Sequence, residues 1–329
     1  MKLTTTAKHL ISFLALAAMG LQAGTLHAQP AGKVTTIRVA YPAGGPADVA
    51  TRKLQSRLGG VTGQTVIIEN VPGAGGSIGA NNVLNAPADG ATLLAVTGND
   101  LILAPLAMSQ VKYKPESYRL LATVFPTDFT LVTNADHSFE NLDALVERSK
   151  ASGKELTFGS WGYGSAPYLV GADFKLATGV SILDVPYKGA APVVQALLSK
   201  EIDMAFVPLA ASVIELIRTG KVKAIGVANL NRNPFVPTVP TLNEGKYLKN
   251  FVYSAWAGVF IPKAAPEAVA RQLNKSMGEV VAAEDFQHFL RESAALPVKA
   301  LTLQEADAFY LAEIEKFRQV ARKIKLEPR

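Results

Sequence analysis

Short apolar segments rich in β-forming residues alternate with helix-like segments along most of this 329-residue chain. Such alternation is typical of α/β proteins whose sheets are largely parallel. In these sheets the loops that follow the carboxyl ends of the strands are the usual ligand sites. The alternation therefore predicts an α/β fold in which the strand-to-helix junctions carry the function.

Apolar runs and helical periodicity place the individual elements. In the predicted helix Ala47–Leu58, three apolar residues recur every four positions and are expected to face the sheet: Ala50, Leu54 and Leu58. The predicted strands are Thr36–Tyr41, Val66–Glu69, Thr92–Thr97, Phe129–Thr133, Leu156–Phe158, Ile182–Val185, Met204–Val207, Ala224–Val227 and Trp256–Ile261. The other predicted helices are Ser77–Leu84, Leu142–Ala151, Pro167–Thr178, Ala191–Leu198, Ala210–Thr219, Pro266–Ala283 and Leu303–Arg322.

Residues 1–28 have the features of a secretory signal peptide. A positively charged start precedes the apolar run Leu10–Met19, and the segment Leu26–Ala28 fits a cleavage site. The run has about half of the ~20 residues that a membrane-spanning helix requires, so a membrane anchor is the weaker interpretation. We therefore expect an exported protein that is cleaved near Ala28 and is not itself inserted in the membrane.

The composition excludes several kinds of site. The chain has no cysteine, which excludes disulfides, thiolate metal sites and a cysteine nucleophile. After the signal segment only His137 and His288 remain, too few for a multi-histidine metal site. The net charge is +6, but no dense run of Lys and Arg occurs, so nucleic-acid binding has little support. We expect no metal and no organic cofactor.

The junction Tyr41–Asp48 follows a predicted strand and opens a predicted helix. Gly44 and Gly45 allow the backbone to approach a ligand closely. The helix behind them presents unsatisfied N–H groups and a partial positive charge, which together suit a carboxylate or a phosphate. This junction is therefore a candidate anion site; the alternative is an ordinary strand-to-helix turn.

A second junction, Glu69–Gly79, is richer in glycine, and Ser77 is expected to cap the helix that follows. Position 78 carries no glycine, so the spacing is not that of a dinucleotide-binding loop, and no phosphate-binding P-loop motif occurs. The two glycine-rich junctions could hold one carboxylate between them.

The junctions Gly159–Pro167 and Val185–Pro192 are candidates for the selective contacts. Aromatic side chains here would wall a pocket, and hydroxyl groups would donate hydrogen bonds. An aromatic wall would suit an aromatic or medium-chain dicarboxylate. The residues expected to make these contacts are Trp161, Tyr163, Ser165, Tyr187 and Phe206.

An enzyme that uses Ser160 or Ser165 as a nucleophile is a weaker alternative. Neither serine lies in a G-x-S-x-G motif, and only His137 or His288 could serve as its base. We therefore expect a binding protein and not an enzyme.

Five motifs resemble one known family. They are Tyr41-Pro-x-Gly-Gly followed by Asp48 and Arg52, Glu69-Asn70-x-Pro-Gly-Ala-Gly-Gly-x-Ile-Gly79, Asp89-Gly90-x-Thr-Leu-Leu94, Val185-Pro-Tyr-Lys-Gly189 and Val239-Pro-Thr241. In order and spacing, the chain from about Thr36 onward resembles the Bug-type periplasmic solute receptors of the tripartite tricarboxylate transporter family. It departs from the family pattern at Tyr168, where a His is frequent, and at Val207, where an Asp often stands.

The resemblance implies a two-lobed periplasmic-binding-protein fold with two mixed sheets and a ligand cleft between the lobes. Lobe one would comprise residues 36–127 and 252–329, and lobe two residues 128–251. In the family, the loops that match Tyr41–Gly45 and Ala74–Ser77 hold a ligand carboxylate, and lobe two supplies the selective contacts. The candidate ligand-binding residues are thus Tyr41, Ala43, Gly44, Gly45, Asp48, Ala74, Gly75, Gly76, Ser77, Trp161, Tyr163, Ser165, Tyr187 and Phe206.

The function that follows is capture of a small organic carboxylate in the periplasm, with dicarboxylates or aromatic carboxylates favoured. The resemblance also implies delivery to separate membrane transporter subunits, and we expect the receptor to be a monomer. A subunit that senses the same ligand for a signalling system is an alternative that the sequence does not separate from transport.

Overall fold

The computed structural model describes residues 34–137 and 139–329, so the predicted signal peptide lies outside the described residues. The strands are β1 (Val34–Val39), β2 (Thr65–Asn70), β3 (Thr92–Thr97), β4 (Tyr118–Asn134), β5 (Leu156–Ser160), β6 (Ile182–Pro186), β7 (Met204–Pro208), β8 (Val222–Val227) and β9 (Ser254–Pro262). The helices are α1 (Pro46–Thr62), α2 (Ser77–Leu84), α3 (Gly98–Ala107), α4 (Leu142–Ser152), α5 (Ala166–Thr178), α6 (Ala190–Leu198), α7 (Ala211–Arg218), α8 (Glu267–Ala282), α9 (Glu284–Glu292) and α10 (Leu303–Lys323).

The strands form a mixed sheet in the order β2-β1-β3-β9-β4-β7-β5-β6, and β8 also pairs with β4. β1 runs parallel to β2 and β3, while β5 runs parallel to β6 and β7. β9 is antiparallel to both β3 and β4. The predicted α/β class with mixed sheets is therefore confirmed.

Strand β4 links the two groups of parallel strands. Its first part, Tyr118–Asp128, pairs with β9, and its last part, Phe129–Thr133, pairs with β7. One strand of 17 residues thus runs from one group to the other. The predicted boundary between the lobes, at residues 127 and 128, falls inside this strand; the lobe division itself stays a prediction.

Helix α1 shows how the local sequence produces its element. Pro46 occupies the first turn, where its missing N–H is not needed, and Gly63 ends the helix with a φ of 66°. Ala50, Leu54 and Leu58 are each fully buried, so the predicted sheet-facing side is confirmed. The helix start is thereby fixed directly after the loop that follows β1.

Three elements were not predicted from the sequence: helices α3 and α9 and the first part of β4. Helix α3 is buried almost all round, so it has no amphipathic period, and Pro105 lies inside it. Strand β4 is buried along most of its length, so polar residues do not alternate with apolar ones. In both cases, burial removes the regular spacing of polar and apolar residues from which a helix or a strand is predicted.

Candidate functional site

A cleft lies where junctions at the carboxyl ends of several strands meet. Its walls come from the loop after β1, the end of β3, the middle of β4, the loop after β5, the first part of β9 and the starts of α1, α3, α5 and α6. The lining residues are Tyr41, Pro42, Ala43, Gly45, Pro46, Ala47, Thr97, Asn99, Asp100, Phe125, Thr127, Phe129, Trp161, Ala166, Gly189, Ala190, Ala191, Pro192, Pro208, Ala255, Trp256 and Ala257.

Asp48 fixes the loop that leads into α1. Its carboxylate accepts hydrogen bonds from the Gly44 N–H (2.9 Å), Arg52 Nε (3.0 Å) and Asn70 Nδ2 (2.8 Å). Burial raises the pKa of Asp48, but these three donors outweigh burial and hold the pKa below its ordinary value. Asp48 therefore organises the loop from behind, and its oxygens are already used by the chain.

The half-buried Tyr41 and the buried Asp100 form a hydrogen-bonded pair in the cleft wall. Tyr41 Oη donates to Asp100 Oδ2 at 2.7 Å and accepts from the Thr97 N–H at 3.2 Å. It also lies 2.7 Å from Thr97 Oγ1. Burial raises the pKa of Asp100, and hydrogen bonds from Ala166 and Tyr41 only partly oppose that rise. This pair joins the loop after β1 to the start of α3.

Asp100 also meets the start of helix α5. Its Oδ1 accepts the Ala166 N–H at 2.8 Å, so a carboxylate of the protein itself occupies this helix N-terminus. Ser165 caps the same helix through its hydroxyl and is fully buried. The N-terminus of α5 is thus satisfied by two groups of the chain.

The starts of α1 and α6 are different, because they face the cleft with unused backbone donors. Within residues 34–137 and 139–329, the N–H groups of Ala47, Ala190 and Ala191 have no hydrogen-bond acceptor. Gly189 precedes α6 with a φ of 148°, and a Cβ built there would lie 3.9 Å from Pro42 Cδ. The loop that leads into α6 therefore contacts the loop that leads into α1, and both helix starts contribute to the lining of one cleft that suits an anion.

Aromatic rings supply much of the remaining wall. The ring centroids of Phe129 and Trp161 lie 6.2 Å apart, and Phe125 and Trp256 complete the apolar surface. Trp256 Nε1 donates to Glu313 at 2.9 Å, which fixes that indole. Across the described part of the chain, the lining contains one carboxylate, that of Asp100, and no Lys, Arg or His. An anion here must be held by backbone and neutral donors.

The structure brings some of the predicted site residues into the cleft and others not. Tyr41, Ala43, Gly45 and Trp161 line it, whereas Gly44 and Asp48 lie directly behind it. The loop Ala74–Gly76 forms a short 3₁₀ turn that is not part of the lining. Here the expected cap was wrong, because Gly76 caps α2 and Ser77 is its first residue.

Four other predicted residues also lie outside the lining. Tyr163 donates its hydroxyl to the Glu327 carbonyl at 2.6 Å, and Ser165 is the buried cap of α5. Tyr187 follows β6 and is half-buried. Phe206 is buried against three other rings, with centroids 5.8–6.1 Å away: Phe158, Phe174 and Phe251. A ligand role for these residues stays a prediction.

Sequence reasoning missed Asn99 and Asp100 as parts of the cleft, whereas the start of α6 falls within the candidate junction Val185–Pro192. A signal for the two missed residues was available, since Gly98-Asn99-Asp100 directly follows a correctly predicted strand. It was missed because α3 was not recognised as a helix, so the segment was not read as a strand-to-helix junction.

The histidines lie elsewhere. His137 Nε2 lies 2.8 Å from Asp203 Oδ1, and His288 pairs with Glu292 at 3.3 Å. Neither belongs to the cleft lining, so this arrangement gives the serine-dependent alternative no support. Among the described residues, no group of three His, Asp or Glu is arranged to hold a metal ion. No helix in that part of the chain has the length and apolarity needed to span a membrane.

Comparisons with known proteins agree with this architecture. A family profile described as tripartite tricarboxylate transporter family receptor matches residues 50–326. Protein BugT of Bordetella pertussis is 32% identical over 292 residues, covering 86% of this chain and 87% of BugT. The structure of the periplasmic binding protein BugD superposes with a TM-score of 0.81 at 29% identity, covering 90% of this chain and 99% of BugD. An adipate-bound R. palustris protein gives a TM-score of 0.82 at 25% identity, covering 90% and 98%.

Proposed function

This chain belongs to the tripartite tricarboxylate transporter receptor family, and on that premise we propose that it captures a small organic carboxylate in the periplasm. The cleft described above would be the binding site. The bound ligand would then be delivered to membrane transporter subunits. We propose no catalytic step, in keeping with a family of solute receptors.

The observation that carries this proposal is the pair of helix starts with free N–H groups. Ala47 at the start of α1 and Ala190 and Ala191 at the start of α6 direct donors towards one cleft. A hydrogen bond to a charged acceptor is worth about 1.5–3 kcal/mol, and the helix dipoles add to it. A carboxylate can therefore be bound without any cationic side chain.

The rest of the lining indicates the chemistry of the part of the ligand that follows its carboxylate, here called the body of the ligand. Phe125, Phe129 and Trp161 offer flat apolar surfaces, and the indole Nε1 of Trp161 has no hydrogen-bond acceptor in the described part of the chain. Burying apolar area gives about 25 cal/mol per Å². We therefore favour a carboxylate with an aromatic or aliphatic body. The adipate held by the R. palustris relative has an aliphatic body of this kind.

Capture would proceed by closure of two lobes about β4 and the return crossing near residue 252. The free N–H groups of α1 belong to the proposed lobe one and those of α6 to lobe two, so a carboxylate between them would stabilise the closed form. We propose a monomer, because one chain supplies both helix starts.

Ala191→Glu tests the proposal, because it places a carboxylate of the protein at the start of α6. Ala191 is exposed and lines the cleft, and an acid in the first turn of a helix is favourable, so the variant should fold. Titration calorimetry should show carboxylate affinity reduced by roughly tenfold or more. Ser212→Glu is the matched control, since Ser212 is the exposed second residue of α7, outside the cleft. Equal affinity in the two variants would contradict the proposal.

A further inference from the structure

We propose that Asp100 restricts the cleft to ligands with a single carboxylate, so that the other end of the ligand must be uncharged. This inference rests on the proposed function and narrows its ligand class. It concerns a residue that takes no part in holding the bound carboxylate but decides which molecules are accepted.

Asp100 is a buried carboxylate without a cationic partner. Only 1% of its surface is exposed, and it belongs to the cleft lining. Tyr41 Oη and the Ala166 N–H each donate to it, at 2.7 and 2.8 Å. In the part of the chain that the structure describes, no Lys, Arg or His forms an ion pair with it. Its negative charge is therefore balanced only by dipoles and is felt inside the cleft.

The position of Asp100 also removes one anion site. Four helices start at the cleft, α1, α3, α5 and α6; Asp100 lies in the first turn of α3 and already occupies the N-terminus of α5. The loops that lead into the two remaining starts, α1 and α6, meet at Pro42 and Gly189, so one carboxylate would be shared by these two starts. A second carboxylate on the same ligand would find only helix starts that Asp100 occupies or belongs to.

Within the residues that the structure describes, the rest of the lining offers that second carboxylate no cation, only neutral donors such as the indole Nε1 of Trp161. Beyond the two helix starts the walls are mainly aromatic rings, proline and alanine. Thr127 donates its hydroxyl to the Leu209 carbonyl at 2.6 Å, and Asn99 donates one of its two amide hydrogens to the Ser254 carbonyl at 2.9 Å, so the hydroxyl and one amide hydrogen are already used. A charged group buried there would lose its hydration and face the carboxylate of Asp100.

Two series of ligands with matched bodies test the inference by titration calorimetry. One is hexanoate, monomethyl adipate and adipate; the other is 4-methylbenzoate, monomethyl terephthalate and terephthalate. In the series that fits the cleft, we expect the half-ester to bind roughly tenfold or more tightly than the diacid. Asp100→Asn should reduce this preference by roughly tenfold. Asp173→Asn, which alters a buried carboxylate outside the cleft lining, should keep the wild-type preference.

The possible outcomes distinguish a failure of this inference from a failure of the proposed carboxylate-binding function. If neither series binds and no other carboxylate does, the proposed function fails and the inference fails with it. If carboxylates bind but the diacids bind as tightly as their half-esters, only the inference is overturned. An unchanged preference in a folded Asp100→Asn protein overturns it as well. Should Asp100→Asn fail to fold, the wild-type comparison of half-ester and diacid decides alone.

Discussion

Removing the hydroxyl of Tyr41 should destabilise the protein strongly, because this oxygen holds together two walls of the cleft. In Tyr41→Phe, Asp100 loses a donor at 2.7 Å and the Thr97 N–H loses its acceptor at 3.2 Å. A hydrogen bond to a charged group contributes about 1.5–3 kcal/mol and a neutral one about 0.5–1.5 kcal/mol. The expected loss in the free energy of unfolding is therefore about 2–4 kcal/mol, or a fall in Tm of roughly 5–10 °C.

Urea unfolding followed by circular dichroism measures this loss, and Tyr113→Phe is the matched control. The hydroxyl of Tyr113 is also buried, but no hydrogen-bond partner for it is found in the described residues. Removing an unsatisfied buried hydroxyl should leave stability unchanged or raise it. If Tyr41→Phe proved as stable as Tyr113→Phe, the idea that Tyr41 and Asp100 brace the cleft would be refuted.

Two further predictions concern the frame of the cleft. Asp48→Asn should lower the free energy of unfolding near neutral pH. The pKa of Asp48 is depressed in the fold, so its contribution to stability is present above the unfolded value of about 4 and disappears as the pH falls through the folded pKa. The urea midpoints of the wild-type and Asp48→Asn proteins should therefore converge in acid. Gly98→Ala should cost about 2 kcal/mol or more, since a Cβ there would lie 2.0 Å from the Trp256 ring, whereas Gly60→Ala within α1 meets nothing within 4 Å and should be neutral or stabilising in the same assay.

Most helices and strands could be predicted because their apolar residues recur with the spacing typical of a helix or a strand. Strand Thr92–Thr97 and helix Ser77–Leu84 were predicted with the bounds that the structure shows. Helix Gly98–Ala107 could not be, because burial on all sides removes the polar face that marks a helix. Helix Glu284–Glu292 follows α8 after a single residue; the predicted helix Pro266–Ala283 ends at this break, but no element was predicted for the residues directly after it.

Site residues could be predicted where they lie on a single strand-to-helix junction. They could not be predicted where their role depends on contacts with distant parts of the chain. Gly45 and Ala43 line the cleft because the glycine-rich loop after β1 leads straight into a helix. Phe206 looked like a wall residue, yet its ring packs against Phe158 and Phe174, since strand β7 turns that side into the core. The position of Asp100 directly after strand β3 could be read from the sequence, but its hydrogen bond with Ala166 could not, because Ala166 lies 66 residues away.

The central claim is that the cleft binds a carboxylate, and a thermal-shift screen of the protein tests it most directly. The panel would contain aliphatic and aromatic mono- and dicarboxylates, sugars, phosphates and amino acids, each with wild-type protein and with Ala191→Glu. A ligand present at 100 times its Kd stabilises a protein by about 2.7 kcal/mol. The account predicts a rise in Tm of roughly 5–10 °C that is confined to carboxylates and is lost in Ala191→Glu. Folded, ligand-free wild-type protein whose Tm no carboxylate raises would contradict it.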